Sequence, residues 1–274
     1  MSYRKEQRGD YIMNKQHTFV ICAYKESPYL EECIESLEKQ KVKSIIKIVT
    51  STPCDYIQKI ADKHGIPCIV NTGKTGISED WNFAFSQADT PYMTIAHQDD
   101  VYLPDYTRAF MKYIETEKKP LIFFTDYAEL RDGEVVKDNE LLNVKRMMLV
   151  PLKSRMFWKS RWMRRRVLSF GSPICCPSVG YCKDNLPEVV FRQHFRSCED
   201  WEAWEMLSKL KGSFVYCNKI LTYHRIHEGS ETTAIIQDNG RSAEELEMYK
   251  KFWPSPIAKM LVKMYARGQK SNGI

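Results

Sequence analysis

Apolar positions along the first half of the chain alternate between two rhythms. Phe19-Val20-Ile21-Cys22-Ala23 is an unbroken apolar run, as in a strand covered on both faces, and it breaks into Tyr24-Lys25-Glu26-Ser27-Pro28. Leu30, Cys33, Ile34 and Leu37 then recur at helical spacing. The unit repeats with a strand over 45–49, the loop Thr50-Ser51-Thr52-Pro53 and a helix over 55–64 closed by Gly65. A third strand over 66–70 leads through the glycine loop Asn71-Thr72-Gly73-Lys74-Thr75-Gly76 to a helix starting at Ser78, with Glu79 and Asp80 in its first turn. The fourth strand, Tyr92-Met93-Thr94-Ile95-Ala96, breaks abruptly into His97-Gln98-Asp99-Asp100.

Strands alternating with helices predict an α/β fold with a mixed, mostly parallel sheet flanked by helices, whose ligands bind outside the carboxyl ends of the strands. The four loops named above therefore converge. The pattern then weakens. A strand over 121–125 and a turn at Arg131-Asp132-Gly133-Glu134 precede a helical, basic region from about 139 to 170. The proline-bounded stretch 171–181 reads as an edge strand or a loop lining a cleft. Glu199-Asp200 precede a helix with Trp201, Trp204 and Leu207 on one face, and a short strand over 214–217 leads to a polar loop from Tyr223 to Thr233. Two helices broken at Pro254 and Pro256 end the chain, the last basic and amphipathic.

The 274 residues, 43% of them hydrophobic, suffice for one large core or a core with an appendage. No apolar run approaches the roughly 18 residues of a membrane span, and residues 1–16 form a polar, basic tail, so a cytosolic protein is expected. Nine cysteines, odd in number and without a Cys-x-x-Cys pair, predict reduced core thiols and no structural zinc. The net charge of +6 is concentrated. Lys153, Arg155, Lys159, Arg161, Arg164, Arg165 and Arg166 interleave with Met156, Phe157, Trp158, Trp162 and Met163, a mixture suited to an anionic membrane surface or a phosphate-bearing ligand. Peripheral contact with the inner face of the plasma membrane fits this; nucleic acid is not expected.

Two acid pairs carry the candidate chemistry, and each has a plain structural alternative. Asp99 and Asp100 end a strand at the ligand edge, where adjacent side chains point apart, so one can hold a cation while the other packs or caps a following helix. Glu199 and Asp200 can cap the helix that they precede. Lys74, in its glycine loop, suits a phosphate, but the loop has neither P-loop nor dinucleotide spacing. His224 and His227, with Arg225 between, suit a pyrophosphate or metal loop.

Five pieces occur in one order: Ala23-Tyr24-Lys25-Glu26, Gly76-Ile77-Ser78-Glu79-Asp80-Trp81-Asn82, His97-Gln98-Asp99-Asp100, Glu199-Asp200-Trp201, and Arg225-Ile226-His227-Glu228-Gly229-Ser230. Together, over about residues 17–233, they resemble family 2 glycosyltransferases of the GT-A fold, including bacterial enzymes of lipopolysaccharide and capsular polysaccharide synthesis. The resemblance implies inverting transfer from a nucleoside diphosphate sugar, most often UDP-linked, to a glycan or lipid-linked glycan, assisted by Mn2+ or Mg2+. The metal-binding Asp-x-Asp of such enzymes falls on His97-Gln98-Asp99, so its first acid is replaced. Asp99 is then the implied ligand, Asp100 a second, His227 a third from a closing loop, and His97 either a substitute ligand or a ribose contact. Ala23, Tyr24 and Glu26 correspond to the uridine-binding strand end, and Asp80 and Asn82 to the helix near ribose and diphosphate. Thr50 and Ser51 stand where an acid is common, which leaves the base open. Asp200 corresponds to the catalytic base, with Glu199 and Trp201 beside the acceptor.

This reading divides the chain into the tail 1–16, a GT-A domain 17–235 with a nucleotide-binding half (17–127) and an acceptor-binding half (128–235), and a helical extension 236–274. A catalytically weak binding relative is the alternative, and a nucleotidyltransferase a more distant one. Oligomeric state is left open.

Overall fold

The computed structural model describes residues 16–227 and 240–271; the expected tail 1–15 and the loop beyond His227 lie outside them. β1 (His17–Ala23), β2 (Ile45–Thr50), β3 (Cys68–Val70) and β4 (Tyr92–His97) are parallel, connected in sequence by α1 (Leu30–Glu38), α2 (Asp55–His64) and α3 (Ile77–Gln87). The periodicity located each of them. Gly65 ends α2 with φ 62°, a left-handed conformation that glycine adopts without a Cβ clash. Ser78 does not cap α3: Gly76 holds the cap position, and the Ser78 hydroxyl donates instead to the Arg192 carbonyl. The spatial order β3-β2-β1-β4 reverses direction between β1 and β4, which opens a crevice at their carboxyl ends.

The second half completes the same sheet in a different manner. β5 (Val101–Tyr102), α4 (Tyr106–Ile114), β6 (Pro120–Arg131), β7 (Glu134–Val136), α5 (Glu140–Leu149), α6 (Arg161–Leu168), β8 (Val179–Cys182), α7 (Glu199–Ser208), β9 (Ser213–Ile226), α8 (Gly240–Lys250) and α9 (Ser255–Ser271) follow in chain order. Among the described residues the sheet has nine strands, in the order β3-β2-β1-β4-β8-β6-β9-β5, with β7 hairpinned onto β6. The division drawn at residue 127 falls inside β6, so both halves share one sheet.

Three expectations are corrected here. The strand read over 121–125 runs on to Arg131, because β9 pairs along its length, and it turns back through Asp132 (φ 49°) and Gly133 (φ 83°). The stretch 171–181 lines the cleft through Ser172 to Pro177, one of its two expected forms, but its strand end is no edge: β8 lies antiparallel between β4 and β6. It enters because Gly180 leaves room for the Phe110 ring; a Cβ there would stand 2.4 Å from Phe110 Cε1. The polar loop expected from Tyr223 begins later, since β9 carries His224 and Arg225 as strand residues.

The core lies against this sheet, with Phe110 stacked on Phe123 at 5.0 Å and Trp204 fully buried beside Tyr181. His17 is buried too, within hydrogen-bond distance of Ser44 Oγ and Thr94 Oγ1, and burial pushes its pKa down to about 3. The nine cysteines are free thiols, as expected. No helix among the described residues is long and apolar enough to cross a membrane.

Candidate active site

Loops from the carboxyl ends of β1, β2 and β4, the start of α3, the segment before β8 and the start of α7 enclose a cleft of about 910 Å³. Tyr24, Ser51, Asp80, His97, Gln98 and Asp99 line one side, and Ser172, Cys176, Arg196, Glu199 and Asp200 line the other. Asp99 and Asp200, a hundred positions apart in sequence, thus share one cavity.

The end of β4 is braced from behind. Asp100 is fully buried; its Oδ1 accepts from the Arg225 backbone N–H at 2.8 Å and lies 3.0 Å from His224 Nδ1. Burial alone would raise the Asp100 pKa, but the His224 charge and hydrogen bond hold it below the ordinary carboxylate range. His224 is likewise driven down by burial and, against that, held above the ordinary imidazole range by Asp100. The two form a buried ion pair. Arg225 adds a second brace: its Nε donates to the Asp99 carbonyl at 2.8 Å, its Nη2 reaches Glu32, and its guanidinium lies 4.2 Å from the Tyr29 ring centroid. Neither acid caps a helix. α4 starts later, with Asp105 in its cap position.

This bracing presents donor atoms to the cleft. His97, Asp99 and Asp100 each offer a ligand atom within 4.8 Å of the others, and His227 Nε2 lies 3.0 Å from Asp99 Oδ2. His97 Nε2 and Asp100 Oδ2 are buried without a hydrogen-bond partner, which leaves two lone pairs available inward. Burial lowers the His97 pKa, with Asp100 opposing, so the imidazole favours its neutral, metal-binding form. Its ring stacks on Trp81 at 5.4 Å. Carboxylate and imidazole together fit Mn2+ better than a purely soft or purely oxygen-loving ion.

The nucleotide side is a network of short side chains. Ser51 Oγ donates to Asp80 Oδ2 and Asn71 Nδ2 to Asp80 Oδ1, both at 2.8 Å, so a carboxylate occupies this corner although none follows β2. Gln98 lines the cleft with its amide committed to both backbone groups of Tyr24, at 3.0 Å each. It ties the β1 and β4 loops together across the crevice. Lys25, with φ 55°, donates its backbone N–H to Thr52 Oγ1.

Several expected contacts lie off the cleft wall. Asn82 does not face a ligand: its amide clasps the Phe191 backbone at both N–H and C=O. Thr50 is buried and holds the Thr52 N–H, Ala23 is buried in the strand, and Glu26 and Lys74 are exposed outside the lining. Trp201 does line the cleft, though it is 3% exposed, with its indole N–H on the Leu168 carbonyl and its ring edge-on to Tyr249, so most of its surface is spent on packing.

Across the cleft, Glu199 and Asp200 occupy the first turn of α7 rather than its cap, which is Cys198. The positive end of the helix suits two carboxylates there. Asp200 Oδ1 accepts from the Trp201 N–H at 2.6 Å and Oδ2 from Ser172 Oγ at 3.4 Å. Lys145, whose Nζ donates to the Tyr127 hydroxyl at 2.9 Å, Arg196 and the α8 residue Glu245 also line this side. Sequence reasoning passed over Ser172, Lys145, Arg196 and Glu245; only the adjacency of Arg196 to the Glu-Asp pair was a usable signal.

A sequence profile of glycosyl transferase family 2 matches residues 18–170, more than half of the chain, from β1 past the His97–Asp100 turn. The chain belongs to glycosyl transferase family 2. No curated protein matches this glycosyltransferase. Among solved structures it is similar to S. aureus TarS 1–349 in complex with UDP-GlcNAc, at 15% identity and a TM-score of 0.57, over 90% of this chain and 70% of that one. It is also similar to the mannosyltransferase PcManGT from Pyrobaculum calidifontis in complex with GDP-Man and Mn2+, at 12% identity and a TM-score of 0.61, over 92% of this chain and 69% of that one. These likenesses confirm the GT-A fold of the glycosyltransferase.

Proposed function

We propose that this enzyme transfers a sugar, with inversion, from a UDP-linked donor to a hydroxyl of a glycan or lipid-linked glycan. The observation that carries the reading is the shared cleft: a donor-atom cluster ends β4 on one wall and the Glu199–Asp200 pair opens α7 on the other. Inversion needs a base on the face opposite the leaving diphosphate, and no covalent intermediate.

Asp200 accepts the proton of the attacking hydroxyl, oriented by the Ser172 hydroxyl and the Trp201 N–H. Glu199, 5% exposed in the same turn, positions the acceptor. Asp99, His97 and His227 hold a divalent cation, Mn2+ or Mg2+, with Asp100 fixing their loop through β9. When bound, that cation neutralises charge on the departing diphosphate. Tyr24 offers its exposed ring to the base, and Asp80 supplies the acceptor atom for a base N–H that an acid after β2 would otherwise give. The two similar structures, one in complex with UDP-GlcNAc and one with GDP-Man and Mn2+, support a nucleotide-sugar donor and a metal.

The test is transfer or hydrolysis of UDP-sugars with Mn2+ by the wild type and Asp200→Asn. Turnover falls by about a thousandfold while donor affinity holds. An Asp200→Asn enzyme with wild-type turnover contradicts the assignment. The Asp99–His227 contact favours one rival, a nucleotide-binding relative with weak catalysis, because it occupies a ligand oxygen. Parent protein that binds UDP yet turns over no sugar nucleotide would establish that rival.

A further inference from the structure

We propose that α6, the elbow between α8 and α9, and the outer side of α9 form a docking surface for a bilayer with anionic headgroups. The proposal does not depend on the donor or the metal. It starts from charge segregation. Residues 141–183 and 248–274 contain sixteen of the chain's 41 Lys and Arg and none of its 35 Asp and Glu. The remainder is left with 25 basic against 35 acidic residues, so the modest total of +6 conceals a strongly basic region on an acidic body.

The two basic stretches meet in space. The Arg166 guanidinium lies over the rings of both Trp162 and Trp253, at 5.6 and 4.8 Å. Trp253 sits in the elbow between α8 and α9; its indole N–H donates to the Ser169 carbonyl at 2.7 Å and its ring is 5.4 Å from Phe170. Arg165 Nη2 reaches the Lys251 carbonyl at 3.0 Å. Not every cation is available to a ligand. Arg164 is buried with its guanidinium on the Gly212 and Leu210 carbonyls, and Arg165 pairs with Glu205. Arg161, Lys259 and Lys263 are exposed.

Large apolar side chains decide the kind of partner. Trp162 is 64% exposed, Met260 54% and Met264 60%, with Phe170 and Ile257 also outward. On α9, Ala258, Leu261 and Val262 pack inward, while Ile257, Met260 and Met264 stand among Lys259 and Lys263 on the outside, so the helix is apolar on its exposed side as well. A soluble polyanion needs only the cations. Projecting tryptophan and methionine beside arginine and lysine suit the headgroup boundary, where the indole and thioether leave water and the cations meet lipid phosphate. Membrane attachment would also hold the neighbouring cleft near an acceptor on a lipid carrier.

Flotation with vesicles of phosphatidylcholine alone, and of phosphatidylcholine with phosphatidylglycerol, tests the surface on the full chain. Binding to the anionic vesicles only, reversed by salt, is expected. Arg161→Glu with Trp162→Ser should weaken it at least about twenty-fivefold, since the charge reversal changes two charges and each near the membrane is worth about fivefold. Lys259→Glu with Met260→Ser should weaken it similarly, both pairs keeping the wild-type Tm and donor hydrolysis. Equal binding to both vesicle types, no vesicle binding by the wild type, or folded variants that bind as well as the parent would overturn the proposal. So would a polyphosphate that binds where vesicles do not, or dimerisation abolished by the same substitutions.

Discussion

β1 to β4 reach the cleft by repetition, each strand followed by a loop and a helix, whereas β6, β8 and β9 reach it by pairing across the sequence. In the first region a residue's neighbours are set by local periodicity. In the second they are set by partners more than a hundred positions away, as when β9 brings His224 and Arg225 onto the Asp99–Asp100 loop. The Asp99–Asp100 loop is therefore shaped locally and held by the far half. The two buried histidines show the same contrast. His17 in β1 is kept neutral by burial, while His224 in β9 is kept charged by Asp100.

The strongest way to break this dependence is Asp100→Ala. It removes the carboxylate that holds the His224 proton, so the buried ring reverts to its neutral form and the Arg225 N–H loses its acceptor, and about 3 kcal/mol of stability should vanish in a denaturant titration. A loss within about 0.5 kcal/mol would mean that β9 does not hold the loop. Gly180→Ala probes the insertion of β8. Its Cβ meets a ring stacked in the core, and about 3 kcal/mol is expected from the same titration.

Lowering the pH separates the histidines. His17 takes up a proton near 6.5 in the unfolded chain but only near 3 in the folded one, so the unfolded state binds more protons between those values and stability falls as pH falls. Between pH 6.5 and 5 the loss is about 2 kcal/mol, and His17→Asn should flatten it. Gly65→Ala, in the repetitive region, should cost only about 1 kcal/mol, read as a small drop in Tm, because it strains one left-handed residue and touches nothing.

The same contrast explains what the residues alone could tell. The strands and helices up to His97 were legible because period-two and period-3.6 patterns are local, and the Gly65 cap followed from glycine's conformational freedom. The two acid pairs were legible as candidates, but the residues alone left helix capping open for each, and only the fold brings Asp99 and Asp200 to one cleft. The central position of β8 was not, since two flanking prolines look like an edge and only the Phe110–Gly180 contact reveals the insertion. Nor was the turning of Asn82 away from the cleft, which depends on the Phe191 backbone. Lys145, Arg196 and Glu245 enter the cleft from three distant segments, and no spacing connects them.

The central claim is that one cavity holds a cation on its β4 wall and a base on its α7 wall, with the transferred sugar between. Anomalous diffraction at the manganese edge, from crystals grown with Mn2+ and a non-transferable UDP-sugar, tests it most directly. The account predicts manganese on the Asp99 carboxylate and diphosphate, with the anomeric carbon turned toward Asp200. Manganese bound away from Asp99, or a donor whose sugar faces away from α7, would contradict it.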